Sequence, residues 1–128
     1  MATILVVDDD RPLGDMIQEF LVGTGYNVLR AENGMAALLI CAESKVDLVL
    51  TDILMPDGEG TELIMNLVES HPNVKIIAMS GGGIGSAGAY LRPAKILGAL
   101  QTIAKPFSQE ELLTTVQAAL GGPGLREK

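Results

Sequence analysis

An α/β fold, with a parallel sheet covered by helices on both faces, is the architecture this sequence predicts. Three observations predict it. Apolar runs of strand length alternate with helix-period stripes from one end of the chain to the other, the pattern left by repeated strand–helix–strand crossovers. The first of those runs is continuous rather than alternating, as a strand buried on both faces requires. With 128 residues, the chain can close one core without disulfide staples and has no room for a second domain.

The elements follow in order. Ile4–Val7 is the first strand, and Leu13, Met16, Ile17, Phe20 and Leu21 then mark one face of a helix that Gly23 and Gly25 end. Asn27–Ala31 predicts a weaker second strand, and Met35, Leu38, Leu39 and Ala42 repeat the helical stripe. Val46–Leu50 is the third strand, a helix surrounds Leu63, Ile64, Leu67 and Val68, and Val74–Met79 is the fourth strand. Beyond the glycine cluster Gly81–Gly88, the pattern predicts a helix over Tyr90–Leu97 and a short strand over Gln101–Ala104. Ser108 and Glu111 have capping-box spacing and open a last helix carrying Leu112, Leu113, Val116, Ala119 and Leu120. Pro123 stops it, so the expected division is one domain over 1–121 and a flexible tail over 122–128.

Composition narrows the function. Apolar residues make up 48% of the chain and aromatics 3%, so the core must be built from Leu, Ile, Val, Ala and Met, and a disordered or collagen-like chain is excluded. A formal charge of −7 with only 9 basic residues argues against binding a nucleic-acid backbone. The single cysteine, Cys41, lies in the apolar run Met35–Ala42 and reads as a small buried hydrophobe. Met16, Met35 and Met65 read as core or near-core packing rather than a metal box. The N-terminus has no basic segment ahead of an apolar one, and no uncharged apolar run approaches the roughly 18–20 residues that span a bilayer. A cytoplasmic protein without membrane contact is expected.

In sheets of this kind ligands bind beyond the carboxyl ends of the strands. There the sequence places Asp8, Asp9 and Asp10 after strand one, Thr51 and Asp52 after strand three, Ser80 and Gly81 after strand four, and Lys105-Pro106-Phe107 after strand five. Clustered carboxylates repel one another unless a cation neutralises them. Oxygen ligands suit a hard divalent ion such as Mg²⁺, which takes one or two carboxylates and keeps waters. With Lys105 as a fixed positive charge and Ser80 as a hydroxyl donor, the rim suits an incoming phosphoryl group, with a carboxylate as nucleophile.

These residues carry a family resemblance. Ile4-Leu5-Val6-Val7-Asp8-Asp9-Asp10, Asp47-Leu48-Val49-Leu50-Thr51-Asp52-Ile53-Leu54-Met55-Pro56-Asp57-Gly58, Ser80 and Lys105-Pro106-Phe107 resemble the receiver domain of two-component response regulators, over roughly residues 3–120. The resemblance implies a flavodoxin-like (βα)5 sandwich with strand order 2-1-3-4-5, and Asp52 as phosphoacceptor. It implies Mg²⁺ held by Asp9, Asp52 and the Leu54 carbonyl, with Asp8 acting through water. Ser80 and the Gly81 amide would meet the phosphoryl oxygens, Lys105 would pair with the phosphoryl group, and Lys105–Pro106 would be a cis peptide. The implied role is a non-enzymatic phosphoacceptor, charged by a histidine kinase or phosphotransfer protein and signalling by a conformational change to a downstream protein. Single-domain regulators share this organisation, and a piece cut from a longer regulator is the other reading.

Three departures from the family pattern stand out. Thr102 occupies the position where the family carries a switching Tyr or Phe, so the expected response moves the glycine loop and the Tyr90–Leu97 helix instead. Gly81 replaces the usual alanine and is followed by Gly82 and Gly83, in a loop a few residues longer than usual. Leu54 replaces a residue that is often polar, which would shield an acyl phosphate from water.

Other readings fare worse. Gly83-Ile84-Gly85-Ser86-Ala87-Gly88 matches a dinucleotide fingerprint, but it follows the fourth strand, and no acid lies between Gly88 and Ser108 to hold a ribose. A haloacid-dehalogenase-type phosphatase needs a second Asp where Leu54 stands. His71, between a helix and Pro72, is placed as a solvated helix-end residue rather than a phosphotransfer histidine. A receiver acting as a phosphorylation-independent interaction module would be expected to lack at least one of Asp8, Asp9, Asp52, Ser80 and Lys105.

Overall fold

The computed structural model describes residues 2–53, 59–80 and 101–121. Five strands, β1 (Thr3–Val7), β2 (Asn27–Ala31), β3 (Leu48–Asp52), β4 (Lys75–Ser80) and β5 (Gln101–Ala104), form one sheet in the order β2-β1-β3-β4-β5. Every neighbouring pair is parallel. Four helices are described: α1 (Arg11–Gly23), α2 (Gly34–Glu43), α3 (Glu59–Ser70) and α4 (Gln109–Ala119). The helix expected over Tyr90–Leu97 lies outside the described residues.

The period-2 geometry of a strand sends alternate side chains to opposite faces, and two cores result. Leu5, Val7, Val49, Ile76 and Ala78 meet Ala37 and Cys41 of α2 and Leu63, Ile64 and Leu67 of α3. Ile4, Val6, Leu48, Leu50, Ile77 and Met79 meet Ile17 and Leu21 of α1 and Leu112, Val116 and Ala119 of α4. Central strands are covered on both faces and call for continuous apolar runs, which β1 supplies over Ile4–Val7 and β3 over Leu48–Leu50.

Helix ends follow local chemistry. Asp10 caps α1 by accepting the Leu13 amide at 3.2 Å, and Asn33 caps α2 by accepting that of Ala36 at 2.8 Å. Ser108 and Glu111 form the reciprocal capping box of α4, at 3.0 and 2.9 Å. After α1, Gly25 takes a φ of 105°, a left-handed conformation that glycine adopts without a Cβ penalty.

Two strands extend further than hydrophobicity alone indicates. The third runs over Leu48–Asp52 rather than Val46–Leu50, and the fourth over Lys75–Ser80 rather than Val74–Met79. Pairing continues through Val7 with Thr51, Asp52 with Met79 and Ser80 with Ala104, so backbone ladders outlast the apolar run and carry polar residues into the rim.

The methionines and part of the α2 stripe are corrected by the structure. Met16, Met35 and Met65 are 41%, 75% and 54% exposed, Leu39 is 58% exposed, and Ala42 is also exposed. The inward face of α2 is instead Gly34, Ala37 and Cys41, with Leu38 half-buried. The helix Gly-Met-Ala-Ala-Leu-Leu-Ile-Cys-Ala-Glu is apolar nearly all round, so periodicity could not select a face. Packing selects the small residues, which let the helix lie close to the sheet. Cys41 is buried as expected, and burial pushes its thiol above the usual range. Among the described residues, no helix is long and apolar enough to cross a membrane.

At the amino-terminal edge of the sheet, Asp47 ties β1 to β3. Its Oδ2 accepts the Thr3 amide at 2.9 Å, its own amide donates to the Thr3 carbonyl at 2.9 Å, and its carbonyl accepts the Lys75 amide at 3.1 Å. Asp47→Ala removes the first of these and is expected to lower stability by about 1–2 kcal/mol, measured by urea denaturation.

Candidate functional site

Parallel pairing puts the carboxyl ends of β1, β3, β4 and β5 side by side, so Asp8, Asp52, Ser80 and Lys105 converge although they are far apart in the chain. Asp8 is fully buried, Asp52 and Ser80 are buried, and Asp9 is exposed. Lys105 holds the centre. Its Nζ donates to Asp8 Oδ2 at 2.9 Å and to Asp52 Oδ2 at 3.1 Å, with the lysine side chain only 15% exposed. Asp8 Oδ1 accepts the Asp10 amide at 2.9 Å, which fixes the carboxylate from its other side.

The backbone aims the lysine. Its amide donates to the Ser80 carbonyl at 2.7 Å, continuing the β4–β5 ladder by one residue, and the Lys105–Pro106 peptide is cis. On β3, the Ile53 amide donates to the Met79 carbonyl at 3.0 Å, which carries the strand's pairing one residue past Asp52. Thr51 donates its hydroxyl to the Asp52 carbonyl at 3.1 Å, so this side chain secures backbone.

Electrostatics set the character of the rim. Burial by itself would lower the Lys105 pKa, but hydrogen bonding to Asp8 and the charges of Asp52 and Asp8 outweigh it, and the net direction is upward. The lysine is therefore a fixed cation. A raised folded-state pKa contributes stability that is fully present below the ordinary lysine range and lost only as pH climbs through the raised value.

One ammonium does not neutralise three carboxylates. Asp8, Asp9 and Asp52 each present an oxygen, and the three atoms lie within 4.8 Å of one another. This all-oxygen set fits a hard divalent cation. Ser80 Oγ is buried without a hydrogen-bond partner among the described residues. A hydroxyl left in that state is costly, and its place beside the acids is where a ligand oxygen would satisfy it.

The remaining sequence candidates divide. Thr102 is half-buried on β5, in register with Ala78 of β4. Leu54, Gly81 and the motif Gly83–Gly88 lie outside the described residues. His71 follows the last residue of α3, its amide donating to the Leu67 carbonyl at 2.8 Å, at the sheet edge opposite the acids. One residue at the site escaped the sequence reading: Gly60, the second residue of α3, is buried against the backbone of Asp52 and Ile53. A glycine inside a helix was a possible signal, but its neighbours Asp57-Gly58-Glu59 read as ordinary loop chemistry.

Fold and rim together define a flavodoxin-like α/β domain with an acidic, lysine-bridged site at the carboxyl ends of its strands. The model of the response regulator receiver domain matches residues 4–117, and the chain belongs to that family, a signalling family of two-component systems whose members bind Mg²⁺ at an acidic pocket. It is 32% identical over 117 residues to sporulation initiation phosphotransferase F of Bacillus subtilis, covering 91% of this chain and 92% of that protein. It is 35% identical over 121 residues to the DNA-binding transcriptional regulator NtrC of Azospirillum brasilense, covering 93% of this chain and 24% of that one. Among solved structures, the Vibrio cholerae chemotaxis response regulator CheY4 superposes with a TM-score of 0.83 at 28% identity, covering 94% of this chain and 99% of that one. A CheY-like receiver domain protein from Methanospirillum hungatei gives 0.81 at 31% identity, covering 94% of each chain. The chain spans between 24% and 50% of the length of the first four curated relatives it matches.

Removing the central cation takes the neutralising ammonium away from the fully buried Asp8 and from the buried Asp52. Lys105→Met is expected to destabilise the metal-free protein by about 3 kcal/mol at neutral pH. Adding Asp52→Asn should restore part of that loss, because one of the two repelling charges is gone. Urea denaturation of the single and double variants in EDTA checks both expectations.

Proposed function

We propose that this receiver accepts a phosphoryl group on Asp52 from a histidine kinase or a phosphotransfer protein and passes the signal to a downstream protein. The observation that carries this reading is the Lys105 bridge between Asp52 and the fully buried Asp8, with the buried Ser80 hydroxyl at the end of the next strand lacking a hydrogen-bond partner among the described residues. A carboxylate at the end of a central strand is held on rigid backbone, and positioning is the larger part of phosphoryl transfer.

In the proposed reaction an Asp52 carboxylate oxygen attacks phosphorus while the bond to the donor's imidazole or acyl oxygen breaks. Lys105 turns from the carboxylates toward the equatorial phosphoryl oxygens and balances their charge. Ser80 donates a hydrogen bond from its hydroxyl to one of them, a partner it does not have among the described residues. Asp9 and Asp52, with the Leu54 carbonyl, would hold Mg²⁺ directly and Asp8 through water; when bound, the ion offsets charge on the acids and the phosphoryl oxygens. Asp8 meanwhile keeps Lys105 in reach.

The signal follows from charge. Phosphorylation adds negative charge to a buried rim, with few ways to accommodate it except movement of Ser80 and Lys105. With Thr102 at the place of the family's aromatic residue, the response is carried by residues 80–97 rather than by a ring swinging inward. The partner is a protein, not nucleic acid or membrane, in keeping with the acidic charge of −7, and the setting is the cytoplasm.

Incubation with acetyl phosphate and Mg²⁺ is expected to add one phosphoryl mass to the intact protein, and none to Asp52→Asn or to wild type in EDTA. An adduct of equal yield on Asp52→Asn would overturn the assignment. An absent adduct under all conditions would favour a receiver that binds partners without being phosphorylated.

A further inference from the structure

The Asp52 carboxylate is only as well placed as the backbone beneath it, and that backbone is packed against a helix. Gly60 is the second residue of α3 and is buried. A methyl group at this position would lie 2.7 Å from the Ile53 carbonyl carbon, and closer still to the Asp52 carbonyl oxygen and the Ile53 Cα. These are main-chain atoms of the residue proposed to react and of its neighbour. They cannot rotate aside as a side chain can.

Gly14 on α1 makes the contrast clear. A methyl there would also meet close atoms, but they belong to the Arg30 guanidinium, the far end of a flexible side chain. Gly23, at the end of α1, would meet nothing within 4 Å. Glycine within a helix is unfavourable in itself, so its presence at the point of backbone contact has a cause in that contact.

From this contact we infer that Gly60 is a positioning residue for Asp52. Its missing side chain lets the start of α3 press on the Asp52–Ile53 peptide, while the Ile53 amide is held from the sheet side by the Met79 carbonyl at 3.0 Å. Clamped between helix and strand, the peptide fixes where the carboxylate emerges relative to Lys105, 3.1 Å away. The inference rests on the reading of Asp52 as phosphoacceptor.

The test compares wild type, Gly60→Ala and Gly14→Ala in Mg²⁺ and acetyl phosphate, following phosphoryl uptake by intact mass and amide exchange by NMR. A displacement of 1 Å at a reacting group can cost about 10²-fold, so Gly60→Ala is expected to take up phosphate at least about tenfold more slowly. Its Ile53 amide should exchange faster, while Leu5 and Val49 in the central strands keep the wild-type rate. Gly14→Ala should match wild type in uptake and at all three amides.

Uptake by Gly60→Ala at the wild-type rate overturns the inference. So does equal acceleration of exchange at Leu5, Val49 and Ile53, the mark of general destabilisation. If Gly60→Ala does not fold, the pair is remade in a Gly23→Ala background, where the added methyl has open space. Failure to fold there also overturns it, since Gly60 would then be a condition of folding. A wild type that accepts no phosphate while its exchange pattern is intact removes the reading of Asp52 itself, and the inference with it.

Discussion

Asp8 is a fully buried carboxylate, and such a group is tolerated only when its charge is met. Lys105 meets it at 2.9 Å and at the same time reaches Asp52 at 3.1 Å. The ammonium comes from the far end of the chain, 97 residues from Asp8, so this pairing forms only when β5 has docked on β4 and β3 on β1. The bridge therefore links assembly of the sheet to construction of the site. It also leaves the rim with more negative than positive charge, a state that favours a divalent cation over a further lysine.

Parallel topology is what makes so compact a rim possible. Four neighbouring strands end on one edge, and Asp8, Asp52, Ser80 and Lys105 stand at or just past those ends. Asp47 performs the complementary task at the opposite edge, where a single carboxylate bonds the start of β1 and polar chemistry serves cohesion alone. The same residue type thus has two uses, and the end of the strand it occupies decides which. Burial of the Ser80 hydroxyl without a partner among the described residues fits this division.

Much of the fold and most of the rim were legible in the sequence because each depended on a local signal. The continuous run Ile4–Val7 marks a strand covered on both faces, and Ser108 with Glu111 marks a helix start. Asp8, Asp52, Ser80 and Lys105 could be assembled because strand ends in a parallel sheet share an edge. The face of α2 could not be read: with apolar residues all round, only the space available beside the sheet distinguishes Ala37 from Met35. Strand limits at Asp52 and Ser80 were also missed by hydrophobicity, since the backbone continues to pair after the apolar side chains stop. Gly60 was illegible for a third reason. Crowding against the Asp52–Ile53 peptide is a property of how α3 lands on the sheet, and no residue near it in sequence records that contact.

Among the described residues, Asp8, Asp9 and Asp52 cluster at this rim, and the proposed chemistry falls on one of them. An acyl phosphate can be trapped by borohydride, which reduces the phosphorylated aspartate to homoserine, and peptide mapping then locates the reduced residue. After treatment with acetyl phosphate and Mg²⁺, homoserine is expected at position 52 and unchanged aspartate at positions 8 and 9. Homoserine at either of those positions, or a phosphoryl group found on Ser80, would contradict it.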